Sequence, residues 1–251
     1  MMRKKCKAYW WRGTPNFGDL LAPLLLDRYA GIKAEWAPIC GASIVSVGSI
    51  LEHVAPLWPG YIIGSGKLYE DSRLHLHTGT ATILGVRGPL TARQCPPGTQ
   101  MLGDPGLLAA ELIDDPEPEK TYDLGIVPHW SDAHLATDKR FFSDNWHTQV
   151  IDPTQDPMTV ICQISRCQKI VTSSLHGMII ADSFGIPRRF EPAKNWDNSQ
   201  GGMFKFRDYL ASIGAPWVVG EQTTVSRLAV ADRCYELLDA YDELGRLVRK
   251  R

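Results

Sequence analysis

The residue types best suited to chemistry in this 251-residue chain gather in one stretch, Lys169–Pro187, KIVTSSLHGMIIADSFGIP. A short apolar strand (Ile170, Val171) runs into a hydroxyl-bearing turn, Thr172-Ser173-Ser174. His176-Gly177 then opens a helix that Gly185 ends. This junction predicts Ser173, Ser174 and His176 at the carboxyl end of a strand, beside a helix N-terminus. In open α/β sheets ligands bind there, and the free N–H groups of a first helical turn favour anions. Ser173, Ser174 and Gly177 are therefore candidate substrate-binding residues. His176, next to Gly177 at this turn, suits a structural role and a catalytic one about equally.

Cations near predicted strand ends extend the anion-binding theme: Arg87, Arg93, Arg188, Arg189 and Lys194. Arginine matches phosphate and carboxylate oxygens in a bidentate way, whereas lysine supplies a mobile point charge. Arg87 follows a buried strand and precedes a helix start, and Arg93 lies six residues later, nearly two helical turns on. Gly48-Ser49 and Gly64-Ser65-Gly66 end strand-like runs in small residues that admit a ligand close to the backbone. His75 and His77 share a face if their segment is a strand, but no third metal ligand is near in sequence. GxSxG, GxGxxG and GxxxxGK[ST] patterns are all missing, which argues against a nucleophile elbow and against the common nucleotide-binding loops.

Strand–turn–helix units must position these groups. Lys5–Trp11 reads as a first strand, and Asp19 stands where an N-cap belongs before a helix that Gly31 stops. Further strands are predicted over Ser43–Ile50, Tyr61–Gly64, Thr80–Val86 and Gln100–Gly103, with Pro89 suited to a first helical turn. The acidic, proline-containing stretch Asp114–Lys120 is the best domain boundary. Beyond it come strands over Tyr122–Pro128 and Gln149–Ile151, helices over Asp132–Asp144 and Asp156–Gln168, the central stretch, a strand end at Arg188–Glu191 and a helix over Phe204–Ile213. A long helix spans about Val225 to Val248, with an apolar stripe through Leu228, Ala231, Cys234, Leu238, Tyr241, Leu244 and Val248. Repeated units of this kind imply an α/β fold, parallel strands with helices on both faces of the sheet.

The net charge of −1 gives no electrostatic reason to expect a nucleic-acid partner. Six cysteines without a CxxC pair suit reduced thiols in a cytosol. No run approaches the ~20 apolar residues of a membrane span, and no signal-peptide core is present, so the expected location is cytoplasmic, with contact at the inner face of the membrane left open.

Several segments, taken in order, resemble the polysaccharide pyruvyl transferase family. They are Asn16-Phe17-Gly18-Asp19, Gly64-Ser65-Gly66, Val86 through Arg93, Leu102-Gly103-Asp104-Pro105, Gly125–His129 and Thr172–Gly177. The resemblance implies two Rossmann-like domains, over 1–115 and 121–222, facing a cleft in the GT-B manner and followed by a terminal helix over 223–251. It also implies transfer of a pyruvyl group from phosphoenolpyruvate to two hydroxyls of a saccharide, which becomes a cyclic ketal as phosphate departs. No cofactor is implied; the partners are phosphoenolpyruvate and a saccharide acceptor, which is lipid-linked in some settings. The family's Leu-His motif falls on Leu175-His176, which makes His176 the acid, its unperturbed imidazole pKa of about 6.5 suiting proton donation at neutral pH. Asp19 and His129 are then the candidates to deprotonate the sugar, with Asn16, Gly64, Ser65 and Arg87 among the groups that hold substrate. Many members carry Arg just before the Leu-His pair, where this chain has Ser174; either another cation, Arg188 or Lys194, takes its place or the donor differs. Trp10, Trp11, Trp130 and Trp196 lie near predicted loops and suit stacking on sugar rings. A GT-B-like glycosyltransferase using a nucleotide sugar and a non-catalytic saccharide- or phosphate-binding protein are the alternative readings.

Overall fold

The computed structural model describes residues 3–74, 76, 80–115, 117–132, 134–142, 146–193 and 202–250. It contains two five-stranded sheets. The first comprises β1 (Lys4–Tyr9), β2 (Ile32–Trp36), β3 (Ile44–Val45), β4 (Tyr61–Ile63) and β5 (Thr82–Gly85), in the order β2-β1-β3-β4-β5 with every pairing parallel. The second comprises β6 (Leu124–Val127), β7 (Thr148–Val150), β8 (Ile170–Thr172), β9 (Arg188–Phe190) and β10 (Gln222–Thr223), in the order β10-β9-β8-β6-β7, parallel except for β9–β10. Counted from its own first strand, each sheet has the doubly wound order 2-1-3-4-5. Each therefore has a switch point where the connections diverge, between β1 and β3 and between β6 and β8.

Helices form where the sequence supplies a buried face and a stop. In α1 (Leu21–Ala30) Leu21, Ala22, Leu25, Leu26 and Ala30 are buried, and Gly31 ends the helix at φ 64°, its N–H donating to the Leu26 carbonyl. α2 (Pro89–Ala92) begins on Pro89, as its missing N–H allows. The carboxylate of Asp156 accepts from Met158 N at 2.9 Å to start α3 (Pro157–Ser165). α4 (Leu175–Ser183) is buried on every side from Leu175 to Asp182, with His176 and Asp182 as its buried polar groups. It packs on the 3-10 helix Pro105–Leu112 of the first half, where Gly106 lets Ile179 approach. α5 (Phe204–Ser212) lies against α2, and α6 (Arg227–Lys250) returns from the second sheet to pack on α1, β4 and β5.

One continuous apolar core consequently joins the two halves, running from Leu21, Leu25 and Ile63 through Leu107 and Leu108 to Met178, Ile179, Tyr209 and Tyr241. The sheets fall on either side of Asp114–Lys120, yet their facing helices share this core.

Several local expectations change. Ser43–Ile50 contributes only two strand residues, and Gln100–Gly103 is reduced to a single bridge, Val86 to Met101. The helix expected over Asp132–Asp144 is replaced by two 3-10 turns, Leu135–Thr137 and Lys139–Phe141. Asp138 interrupts it, since its carboxylate accepts from Arg140 N and holds an extended residue between the turns. β2 and the two-residue β10, both absent from the sequence expectations, complete the sheet edges. The α6 stripe is buried at Tyr241, Leu244 and Val248, but Leu228 is 77% exposed because the helix has not yet reached the first half. Among the described residues no helix is long and apolar enough to cross a membrane.

Candidate active site

The two switch points face one cavity of about 470 Å³, within the range small-molecule sites occupy. Asn16, Asp19 and Trp11 reach it from the loop after β1, and Ser49, Ile50 and His53 from the segment after β3. His129 and Trp130 follow β6; Ser174, Leu175 and His176 follow β8. Each sheet thus contributes from the two strands that flank its own switch point. Leu68 and Tyr69 from the loop after β4, and Met203 and Lys205 at the start of α5, complete most of the rest of the wall.

His176 sits in the first turn of α4, only 6% exposed. Ser174 caps that helix, its Oγ accepting from Gly177 N at 3.4 Å, while Gly177 packs against Thr172 and Val127 where a side chain has no room. The imidazole lies edge-on to Phe17, and its Nδ1 side rests on Gly18, where a Cβ would fall on the ring. Its Nε2 is buried with no hydrogen-bond partner among the described residues. Burial first, and then the charges of Lys205, Arg87 and His129, push its pKa down to about 3. The sequence expectation of an ordinary imidazole pKa is therefore corrected for the unliganded site: His176 is neutral there.

Asp19 is not the cap of α1. Leu20 occupies that position, without a side-chain cap bond, and the Asp19 carboxylate turns inward to accept from Asn16 Nδ2 at 2.7 Å. Asn16 Oδ1 in turn accepts from Gly18 N at 3.2 Å, which closes the loop into a rigid turn. Burial raises the Asp19 pKa to about 7 despite the Asn16 hydrogen bond and the attraction of Lys205. His129 is set by Ser173, whose Oγ accepts from His129 N at 2.8 Å, and its Nδ1 lies 2.8 Å from Ser131 Oγ. Burial, with Lys205 adding, lowers its pKa to about 4.

The cations are arranged differently from expectation. Arg87 stands behind the wall with all three guanidinium nitrogens engaged, by the Asp208 carboxylate at 3.1 Å, Ser49 Oγ at 2.5 Å and the Lys67 carbonyl at 2.7 Å. Its charge still reaches the cavity, since it depresses both His176 and Lys205. Arg188 is buried in an ion pair with Asp182 at 3.1 Å beside Tyr209 and Thr223, away from the cavity, so it cannot serve as the substitute anion clamp. Arg93 is exposed at the end of α2 and lies outside the lining. Lys194, like His75, His77 and Trp196, lies outside the described residues. Ser65 is fully buried and donates to the Gly48 carbonyl at 2.9 Å, while Gly64 (φ 72°) makes room for Pro105, so both shape the wall from behind.

The cation that lines the cavity is one the sequence reading passed over, Lys205. It stands in the first turn of α5, where a positive charge opposes the helix dipole. Burial, reinforced by Arg87 and opposed by Asp19, lowers its pKa to about 8. The available signal was local: Lys205 is the one charge within Met203–Phe206, where Phe204 and Phe206 are buried and its ammonium lies over the Phe206 ring, 5.4 Å from the centroid. Among the described residues no group of three His, Cys, Asp or Glu is arranged to hold a metal.

A family model described as polysaccharide pyruvyl transferase matches residues 67–189. The chain is 30% identical over 217 residues to the succinoglycan biosynthesis protein ExoV of Rhizobium meliloti, covering 84% of this chain and 66% of that one. It is 40% identical over 166 residues to an uncharacterized protein of Acanthamoeba polyphaga mimivirus, covering 61% and 54% of the two chains. The chain spans between about half and two thirds of the length of these relatives.

Proposed function

Since the chain belongs to the polysaccharide pyruvyl transferase family, we propose that its cleft moves the pyruvyl group of phosphoenolpyruvate onto two hydroxyls of a saccharide, in the synthesis of an exopolysaccharide or cell-wall polymer. The observation that carries this reading is the juxtaposition of Asp19, His129 and His176, which follow the strands at the two switch points, with Lys205 of α5 on the wall of one cavity. The acceptor is a saccharide, free or lipid-linked, and the reaction belongs in the cytoplasm or at the inner face of the membrane.

The chemistry follows from charge. Phosphoenolpyruvate carries a phosphate and a carboxylate. Lys205, the field of Arg87 and the N–H groups opening α4 offer it fixed positive potential. Burial, and after it the cations, hold His176 neutral, and an anion bound beside the ring offsets both by stabilising the imidazolium. The pKa of His176 then climbs, and its Nε2 becomes a proton donor to the donor's methylene carbon. Protonation makes the adjacent carbon an oxocarbenium-like electrophile. One sugar hydroxyl adds to it, a second displaces the phosphate, and a cyclic ketal results. Two C–O bonds form and one breaks; of the two hydroxyl protons released, one balances the proton given to the methylene and the other leaves with phosphate. Asp19, poised near neutrality, is the better base of the two candidates, because His129 at about 4 holds a proton too weakly to take one efficiently.

Calorimetric titration with phosphoenolpyruvate, alongside UDP- and GDP-sugars, tests the reading. Saturable phosphoenolpyruvate binding is expected, weakened roughly tenfold or more in Lys205→Ala by loss of a charge-assisted hydrogen bond of about 1.5–3 kcal/mol. Binding of a nucleotide sugar alone overturns the proposal in favour of a glycosyltransferase.

A further inference from the structure

We infer that Trp11 and Trp130 form the stacking platform that receives the pyranose ring of the acceptor at the mouth of this cavity. The inference rests on the pyruvyl-transfer reading and adds to it the residues that select and orient the sugar.

Exposure alone selects nothing, because Trp36, Trp146 and Trp217 are as open to solvent as Trp11. Position selects. Of the indoles in the described structure, only Trp11 and Trp130 line the cavity, and they do so while 39% and 45% exposed. They also occupy matching places. Trp11 follows β1 and Trp130 follows β6, the first strand of each sheet and one edge of each switch point. The two halves of the fold thus each present one indole to the shared space.

Both rings are held rather than loose. Trp11 stacks on His53, with centroids 6.0 Å apart and planes 20° from parallel, and its indole lies over Gly13, where any Cβ would collide with it. Trp130 packs on His129 at 5.1 Å, and His129 is fixed in turn by Ser173. The neighbouring Tyr69 is anchored through the Glu52 carboxylate, which accepts from Leu68 N at 2.7 Å and from Tyr69 N at 3.3 Å. Pre-set aromatic faces of this kind lose little conformational entropy on binding.

The ligand follows from the division of the cavity. Its cationic end, Lys205 beside the N–H groups that open α4 next to His176, suits a small anion that has no ring of its own. A second component with an apolar face and polar edges is what the indoles fit, and the C–H face of a pyranose has that character. Its hydroxyls then point toward Asp19 and Asn16, where one of them must be deprotonated.

Saturation-transfer NMR with methyl glycosides of glucose, galactose and mannose, in the presence of phosphoenolpyruvate, tests the platform; uridine and guanosine serve as comparators. Ring C–H signals from at least one glycoside are expected with the native protein. They should fall at least fivefold in Trp11→Ala and in Trp130→Ala, and recover in Trp11→Phe and Trp130→Phe. Phosphoenolpyruvate affinity, measured separately by calorimetry, should stay within twofold. Glycoside signals that persist in both alanine variants, saturation of the nucleosides alone, or no glycoside signal while phosphoenolpyruvate still binds each overturn the inference. Failure of phosphoenolpyruvate to bind the native protein instead overturns the reading on which it rests.

Discussion

Arg87 Nε and the carboxylate of Asp208 meet at 3.1 Å with neither side chain exposed, and this pair ties the second half of the molecule to the first. Asp208 also accepts from Leu90 N and Thr91 N, both at 2.9 Å, and from Thr91 Oγ1 at 2.7 Å, so an acid on α5 serves the N-terminus of α2. The same contact fixes the start of α5, from which Lys205 enters the cavity.

Removing either partner strands the other charge in the core. Arg87→Met and Asp208→Leu should each cost about 3–5 kcal/mol, read from urea unfolding midpoints. The double variant should lose clearly less than the sum of the singles. Additive losses would show that the two side chains act independently.

His176 should report the arrival of the donor. In the unliganded protein its imidazole C2–H resonance should stay in the neutral form down to pH 5, and phosphoenolpyruvate should move its titration upward. Titration near pH 6.5 without ligand contradicts the buried, cation-flanked site. The depressed pKa has a stability consequence as well. Between about 3 and 6.5 the unfolded chain binds the proton that folded His176 refuses, so its contribution is complete above 6.5 and is lost as pH falls toward 3. His129 acts in the same sense. The double variant His129→Gln, His176→Gln should flatten the acid limb of a thermal unfolding series. His176→Ala should lower phosphate release by roughly 10²–10⁴-fold, the usual contribution of one acid–base group.

Asp19 and Lys205 predict a narrow optimum in kcat/KM. Activity should rise as pH passes about 7 and fall above about 8, the two limbs belonging to the interacting pair. Asp19→Asn should remove the rising limb, and Lys205→Arg should remove the falling one. For stability the raised pKa of Asp19 works the other way from that of His176. The folded state holds a proton that the unfolded chain releases, so this contribution is present below about 3.8 and disappears as pH rises through about 7. Asp19→Asn should therefore melt higher than the native protein at pH 8.

Gly18→Ala places a methyl group on the His176 ring. Displacing the imidazole by about an ångström should cost roughly 10² in kcat. The associated crowding should cost about 1–3 kcal/mol in stability. A variant with native kcat would show that His176 has no fixed position to defend.

Much of the frame was legible because it obeys local rules. The α4 junction shows this best: a buried strand, a serine cap and a helix stopped at Gly185 are all written in consecutive residues. α1 with Gly31 and α3 with Asp156 are equally local. The helix expected after Trp130 was lost to Asp138, a side-chain-to-backbone bond that competes at short range and that periodicity alone does not register. β2 and β10 escaped notice because edge strands this exposed carry little hydrophobic pattern.

The roles of the charged residues divide along the same line. Sequence alone determined that His176 opens a helix at a strand end, that Asp19 sits beside a helix start, and that an ordered set of short motifs places the chain in its family. Only the tertiary structure decided which cation serves the cavity. Arg87, Arg188 and Lys205 are indistinguishable as charges along the chain. Burial against Asp208 and Asp182 commits the first two, and the packing of Phe204 and Phe206 leaves Lys205 on the cavity wall. Charge partnership and desolvation depend on groups more than a hundred residues apart in the case of Arg87, and no local pattern encodes them.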